Sequence, residues 1–387
     1  MAGKRVPRID AGVIERVASF WRDVTDQGRI VGGVLLLAQD GELRYAGALG
    51  WADREAGLRM TRQTRFRLAS LSKLLTSVCV LRLCELGLLQ LDGAVSDWLP
   101  GFRPQLAAGR EPVIGLRHLL AHTSGLGYGF EMPGDHAYGR AGVSDGLDQV
   151  SFDLHENLRR LADVPLLFEP GRAWRYSLAT DVLGAVIEVA SGLSLPDAIA
   201  RWVTAPLGMG ATSFSGGQPL AVPYKDGGLQ MQVAEVLELD GGQARLAPYR
   251  QGYPSGGAGL MGSADDYLRL LECLRLGGAP LLTPSSTALL LGNAIGNVEI
   301  SHRGPGWKFA LGPLLLTDPT LAGQSQGPGT WSWCGLYGCH YWVDPQAGIS
   351  LVALTNTAVA GAWGEVPDGL VAAVYGQPSN NATTQLK

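Results

Sequence analysis

Residues 66–81 read Phe66-Arg67-Leu68-Ala69-Ser70-Leu71-Ser72-Lys73-Leu74-Leu75-Thr76-Ser77-Val78-Cys79-Val80-Leu81. Leu71, Leu74, Leu75, Val78 and Leu81 put apolar side chains on most sides of a helix over 70–88, so that helix is expected to be buried. Ser70 and Lys73 stand at its start. Residues three apart share a helix face, so the Ser70 hydroxyl and the Lys73 amine can meet. With 22 serines and 5 lysines in 387 residues, chance supplies 22 × 5/387, about 0.28, such pairs, so spacing alone decides little. Position decides more. A lysine beside an apolar helix is costly without a task or a partner. The positive end of the helix dipole disfavours an ammonium and favours nearby negative charge. A lysine of depressed pKa is one route to an activated serine.

Outward from this helix, 10–28 reads as an amphipathic helix. Asp10 caps it, Val13, Ile14, Val17, Phe20, Trp21 and Val24 form its apolar stripe, and Gly28 ends it. Strands are expected near 30–38 and 42–50, joined by the hairpin sequence Asp40-Gly41. Helices are expected at 154–163, 178–191, 196–203 and 263–276, the last with Ser263 as cap and Asp266 at its third position. Strand-like runs follow at 329–334, 338–344 and 348–356, then a short helix at 367–375. The stretches 127–150 and 213–255 carry no regular pattern, and loops that long are usually functional. Two strands from the start and three from the end, with helices at both termini, imply one antiparallel sheet built from both chain ends. The class is α+β, an α/β sandwich with a mostly helical insertion. The expected division is an α/β sheet domain from 1–70 and 255–376, a mostly helical domain with lid-like loops at 71–254, and a disordered tail at 377–387.

The chain has 54 glycines in 387 residues, is 46% hydrophobic and only 17% charged, which excludes global disorder. The glycines show no period of three, which excludes collagen. Net charge is -4, from 31 basic and 35 acidic residues, with no basic run, so no nucleic-acid partner is expected. Apolar runs such as Val34–Ala38 are too short to span a bilayer, so no membrane partner is expected. The charged N-terminus lacks a following apolar stretch and reads as no signal peptide. Five cysteines is an odd count without a C-x-x-C pair, and Cys79, Cys84 and Cys273, which lie in apolar helical patterns, read as buried thiols. A cytoplasmic protein without metal or cofactor is the expectation.

Competing chemistries are weaker. Gly323-Gln324-Ser325-Gln326-Gly327 fits the G-x-S-x-G esterase motif, but Pro328 follows and no helical pattern comes after, so a polar loop is the better reading. His118 and His122 have metal-ligand spacing. The glutamate of H-E-x-x-H is missing, and Thr123-Ser124-Gly125 breaks the helix, so both read as structural. His340 is a candidate triad base. Ser255-Gly256-Gly257-Ala258-Gly259 lacks the Lys-Ser/Thr of a phosphate loop and reads as a tight turn or close backbone approach.

From Ser70–Lys73 onward the sequence resembles the serine β-lactamase and penicillin-binding-protein family. Phe66–Lys73 resembles its nucleophile segment. His118-Leu119-Leu120-Ala121-His122-Thr123-Ser124-Gly125-Leu126 resembles its LLxHTSGL stretch. Glu169-Pro170-Gly171-Arg172-Ala173-Trp174-Arg175-Tyr176-Ser177 resembles the PGxxWxYS segment, and Ser255–Asp266 resembles the loop-to-helix entry that follows. Together these cover roughly 10–376. Within the family, Tyr176-Ser177-Leu178 and the Trp333–Asp344 segment most resemble the EstB-type, or family VIII, carboxylesterases.

The resemblance implies a β-lactamase-like fold with Ser70 as nucleophile and Lys73 with Tyr176 as the acid–base pair. It implies an oxyanion hole from the backbone amides of Ser70 and Leu336. Tyr128, Trp333 and Gly335 are expected to line the substrate pocket. A tyrosine acts as base only beside a cation, and Lys73 is the candidate. Which of the two holds the proton is a coupled question. The chain departs from the lactam-acting members. Leu178 stands at the Asn position of their Tyr-x-Asn motif, and Trp333-Cys334-Gly335 replaces Lys-Thr-Gly. Losing a charged anchor for a carboxylate costs ~2 kcal/mol or more, and an apolar wall suits a small, neutral ester. Cys334 also departs from the Trp-Gly-Gly of EstB-type enzymes. The implied activity is carboxylic ester hydrolysis through an acyl-enzyme. The alternatives are an acyltransferase using the same acyl-enzyme, a β-lactamase with weak lactam hydrolysis, and a non-catalytic binding protein on this fold.

Overall fold

Asp10 accepts a hydrogen bond from the Val13 amide at 3.0 Å and starts α1 (Ala11–Asp26), whose Val13, Val17, Trp21 and Val24 are buried at helical spacing. The chain then enters β1 (Gly32–Gln39) and turns through Asp40 (φ 54°) and Gly41 (φ 84°) into β2 (Glu42–Asp53). Positive φ at both turn residues is what a two-residue hairpin matching the strand twist requires. This is a computed structural model, and it describes residues 7–376 apart from 149, 216, 218, 228–234, 240–241, 247–252 and 301–302. The expected tail at 377–387 lies outside the described residues.

In chain order the remaining strands are β3 (Leu58–Arg59), β4 (Phe66–Arg67), β5 (Glu235–Leu239), β6 (Gly242–Leu246), β7 (Met261–Gly262), β8 (Trp307–Phe309), β9 (Leu314–Leu316), β10 (Trp331–Gly335), β11 (Cys339–Asp344) and β12 (Ile349–Thr355). The helices are α2 (Ser72–Glu85), α3 (Leu116–Leu120), α4 (Ala137–Arg140), α5 (Leu154–Ala162), α6 (Ala179–Ser191), α7 (Leu195–Ile199), α8 (Ala264–Arg275), α9 (Pro284–Leu291) and α10 (Glu365–Tyr375). The main sheet runs β3-β2-β1-β12-β11-β10-β9-β8, with every pairing antiparallel. The two ends of the chain meet at its centre, where Gly33 faces Thr355 across β1 and β12.

Helices cover both faces of the sheet. Leu35 and Leu37 of β1 point into a cluster with Val17, Trp21, Leu351, Ala353 and Leu370, which seats α1 and α10. Their neighbours Val34 and Leu36 point the other way, into the larger core that holds α2, α6 and α8. A central strand buried on both faces reads as a continuous apolar run, as Val34–Ala38 does. Helix α2 is buried from Ser72 through Leu81, which explains why apolar residues surround it instead of forming one stripe.

The expected mixed architecture, with one antiparallel sheet built from both chain ends, holds, and several details differ. Ser70 does not open the long helix. It sits in a 3-10 turn, Ala69–Leu71, and α2 begins at Ser72. The helix expected at 196–203 is α-helical to Ile199 and continues as a π turn over Ala200–Thr204. The stretch 127–150, read as irregular, contains a 3-10 turn at Gly129–Glu131 and α4. The stretch 213–255, also read as irregular, contains the β5–β6 hairpin. Strands β8 and β9 were not foreseen, because three residues are too few to show a period. No single described helix is long and apolar enough to cross a membrane.

Candidate active site

The turn that carries Ser70 is held from several sides. Strand β4 pairs with β7, and the Leu68 amide donates to the Leu260 carbonyl at 2.9 Å. The Leu260 amide donates to Ser72 Oγ at 3.1 Å, and Tyr267 donates to the Leu71 carbonyl at 3.0 Å. Ala69, just before Ser70, has φ 46°. Left-handed backbone at a non-glycine residue costs ~1–3 kcal/mol and persists only where packing enforces it. Here Ala69 is fully buried among Leu336, Tyr337 and Ala358.

Two side chains converge on Ser70. Lys73, in the first turn of α2, places Nζ 3.3 Å from Ser70 Oγ and 2.9 Å from the Gly257 carbonyl. Its ammonium is buried, and desolvation pulls its pKa from the usual lysine range down to about 7, against the attraction of Asp181. Tyr176 arrives from the segment before α6. That segment is tied by the Arg175 amide to the His122 carbonyl (2.9 Å) and the Leu178 amide to the Gly127 carbonyl (3.2 Å). The Tyr176 hydroxyl donates to Ser70 Oγ at 2.6 Å, and Lys73 Nζ lies 4.7 Å from the centre of its ring. Burial pushes the phenol well above its ordinary pKa, with the hydrogen bond to Ser70 opposing. Tyr176 therefore rests as a neutral donor, and of the two side chains on Ser70 Lys73 is the one brought near neutrality.

Aromatic rings wall the site. Tyr176 lies 5.0 Å from Tyr128 and 5.2 Å from Trp333, ring centre to ring centre. Tyr128 stacks on Phe130 at 4.7 Å, and Trp333 meets Phe309 edge-on at 5.3 Å. His122 packs 4.9 Å from Tyr176, shares a hydrogen bond of 3.0 Å with Ser177 Oγ, and is held neutral by burial and by Lys73.

Strand β10 closes the far side. A methyl group at Gly335 would sit 2.3 Å from the Leu68 carbonyl oxygen, so glycine alone lets the strand lie against the nucleophile turn. Leu336 follows directly, packs on Ala69, and accepts from the Val359 amide at 3.0 Å. Cys334 is half-buried, and desolvation pushes its thiol up to about 11. Leu178, at the position where lactam-acting members carry Asn, is fully buried at the start of α6. Its side chain belongs to the core.

The other candidates lie in structural roles. Ser325 sits in the connection between β9 and β10, where the Gly327 amide donates to Asp344 at 2.7 Å and no helix follows. His118 Nδ1 accepts from the Gly115 amide at 3.1 Å, while His122 turns to Ser177, so the two rings serve different partners. His340 is buried with Nδ1 at 2.7 Å from the Gly361 carbonyl, and burial lowers its pKa to about 4. The glycine-rich 255–259 segment is a turn. The carbonyls of Gly256 and Gly257 accept from Thr76 (2.8 Å) and Lys73 (2.9 Å).

The sequence reading missed three carboxyls, Asp181 buried and Asp145 and Glu131 half-buried. Asp181, in the first turn of α6, accepts from Ser255 Oγ and the Gly257 amide at 2.7 Å each, and from Tyr253 at 2.8 Å. Its signal was an acid on the buried side of an apolar helix. Asp145 accepts from the Gly129 and Phe130 amides (2.7 and 3.0 Å), and burial raises it to about 7. Glu131 is likewise raised to about 7 by burial, against Arg175.

A family model described as Beta-lactamase matches residues 15–374. Esterase EstB of Burkholderia gladioli is 44% identical over 377 residues, spanning 94% of this chain and 96% of that one. Monacolin J acid methylbutanoyltransferase of Aspergillus terreus is 26% identical over 381 residues, spanning 84% of this chain and 87% of that one. Among solved structures, EstCE1, a hydrolase with promiscuous acyltransferase activity, superposes with a TM-score of 0.91 at 43% identity, covering 94% of this chain and 98% of its own.

Proposed function

This chain belongs to the beta-lactamase family, and on that premise we propose that it is a serine carboxylesterase working through an acyl-enzyme on Ser70. The observation that carries the reading is the meeting at Ser70 Oγ of the Tyr176 hydroxyl at 2.6 Å and Lys73 Nζ at 3.3 Å. Above about pH 7 the Lys73 amine accepts the Ser70 proton as Oγ bonds to the ester carbonyl carbon. The backbone amides of Ser70 and Leu336 stabilise the oxygen as it gains negative charge. Tyr176 donates its proton to the leaving alcohol and recovers one from Lys73. Water then releases the acid by the reverse relay.

Tyr128, Trp333 and Gly335 line the pocket in this reading. Its aromatic walls and the absence of a cation at position 333 suit a small neutral ester. The sheet layer (1–70 with 255–376) supplies one wall and the helical layer (71–254) the other. No metal, cofactor, nucleic acid or membrane enters the scheme. All five cysteines are unpaired, which fits a reducing compartment such as the cytoplasm.

The test is Ser70→Ala assayed on p-nitrophenyl butyrate, with intact-mass detection of the acyl-enzyme. Turnover is expected to fall by about 10³-fold or more and the acyl adduct to vanish. Turnover close to that of the unsubstituted enzyme rejects the assignment.

A second reading, transfer of the acyl group to an alcohol, is favoured by the similarity to EstCE1 and to a methylbutanoyltransferase. Product analysis with competing alcohols separates transfer from hydrolysis. Lactam hydrolysis is expected to be at most a weak side activity. Leu178 faces the core, and Trp333 replaces the cation that would hold a lactam carboxylate.

A further inference from the structure

Behind Lys73 lies a buried polar cluster that the scheme above leaves without a task. We propose that Asp181 is a positioning residue: acting through the Gly257 peptide, its carboxylate fixes where the Lys73 amine stands and how readily it takes the Ser70 proton. The inference rests on the esterase reading only in taking Ser70 as the nucleophile.

One peptide segment links the two groups. The Gly257 amide donates to Asp181 Oδ1 at 2.7 Å, and the Gly257 carbonyl accepts from Lys73 Nζ at 2.9 Å. Ser255 Oγ donates to the same Oδ1 at 2.7 Å, and Tyr253 donates to Oδ2 at 2.8 Å. Three donors on one carboxylate satisfy most of its acceptor sites and fix the plane in which the 255–257 turn must lie. The turn presents its carbonyl to Lys73, and Lys73 thereby stays beside Ser70. Asp181, Ser255 and Lys73 are each only 1% exposed, so no solvent screens this line of contacts.

Charge acts along the same path. A methyl carbon placed on Gly257 would lie 3.2 Å from Asp181 Oδ1 and 3.3 Å from Lys73 Nζ, so the two groups are at most about 6.5 Å apart. At an effective dielectric of about 20, opposite unit charges at that distance shift one another by about two pH units. The carboxylate holds Lys73 up against the desolvation that pulls it down. The other groups facing this pair are Tyr128 and Glu131 from the 127–150 segment, Tyr176 and His122 beside Ser70, and Cys334 from β10. On the Asp181 side they are Tyr253, with Asp145 and Asp148 beyond it.

Asp181→Asn isolates the charge. The amide oxygen keeps the Gly257 and Ser255 hydrogen bonds, and Tyr253 rotates its hydroxyl to accept from the new NH₂. The measurement is the pH dependence of Ser70 phosphonylation by a p-nitrophenyl phosphonate, followed by nitrophenol release. It reads the nucleophile whether or not esters are substrates.

The unsubstituted enzyme is expected to show an acid limb near pH 7. Asp181→Asn is expected to move that limb down by about two units with an alkaline plateau within about three-fold. Asp181→Ala, which also loses the hydrogen bonds, is expected to lower the plateau at least ten-fold. If it does not fold, Ser255→Ala takes its place, with a smaller loss of plateau. An Asp181→Asn limb that stays where it was, in a protein with an unchanged thermal melt, overturns the proposal. Phosphonylation with the expected shift but no ester turnover overturns the esterase reading and leaves this one standing. No phosphonylation of the unsubstituted enzyme overturns both.

Discussion

Gly335→Ala tests the proposed oxyanion site. The added methyl carbon would stand 2.3 Å from the Leu68 carbonyl oxygen and 3.3 Å from both the Leu68 carbonyl carbon and Leu71 Cδ1. Both obstacles nearest to it belong to backbone that is itself anchored, through the Leu68 amide to Leu260 and the Leu71 amide to Leu68. A tolerable carbon–oxygen contact is about 3.3 Å, so β10 and the nucleophile turn must separate by about 1 Å. That separation falls on the Leu336 amide, one residue further on. Losing one donor to a developing oxyanion typically costs about 10²–10³ in kcat, or ~2.7–4 kcal/mol. A 1 Å displacement lengthens a hydrogen bond enough to forfeit most of that. The assay is steady-state hydrolysis of p-nitrophenyl butyrate, with a thermal melt as control. A fall in kcat of roughly 100-fold with KM within a few-fold is expected, because the donor acts mainly on the transition state. A kcat within three-fold of the parent enzyme, in a folded protein, would refute the placement of Leu336.

Lys73 carries a stability signature of its own. Its pKa is about 7 in the fold and near 10.5 in the unfolded chain, so the unfolded state holds the extra proton between those values. The Lys73 contribution to stability should therefore rise as pH increases from about 7 toward 10.5, so the stability of the parent relative to Lys73→Met should climb over that range in urea titrations; parallel curves for the two proteins would contradict the burial argument. Asp145→Ala leaves the Gly129 and Phe130 amides without their acceptor, which costs about 1–3 kcal/mol and should lower the urea midpoint. An unchanged midpoint would show that water replaces the carboxylate. Trp333→Ala removes the ring against Tyr176 and Phe309. It should raise KM for short acyl esters and improve relative activity on longer ones, read from a chain-length series; an unaltered series would remove Trp333 from the pocket wall.

Spacing and the apolar surroundings of 70–88 were enough to place Ser70 beside Lys73, because the geometry is local. The 3-10 turn that carries Ser70 was not legible, since Ala69 gives no sign of a left-handed backbone, which packing among Leu336, Tyr337 and Ala358 enforces. Tyr176 is 106 residues from Ser70 and entered through the family resemblance; nothing periodic joins the two. Asp181 looks like an ordinary first-turn acid until the 253–257 segment folds back onto it. The central strands announced themselves through Asp40-Gly41 and the Val34–Ala38 run, whereas β8 and β9, at three residues each, are defined only by their neighbours.

The pairing of β1 with β12 also governs when this protein can exist during synthesis. Strand β1 is made more than 300 residues before its central partner, and the Arg16 guanidinium waits for the Ala373 carbonyl, 357 positions on. A nascent chain therefore keeps an apolar strand edge uncovered while those 300 and more residues are added, at ~5–20 residues per second, an exposure that favours aggregation. Truncation anywhere before β12 yields no partial enzyme. The adjacency of α1 and α10 suggests the converse: joining the two ends and reopening the chain at the 40–41 turn should give a permuted protein whose sheet can begin from a hairpin.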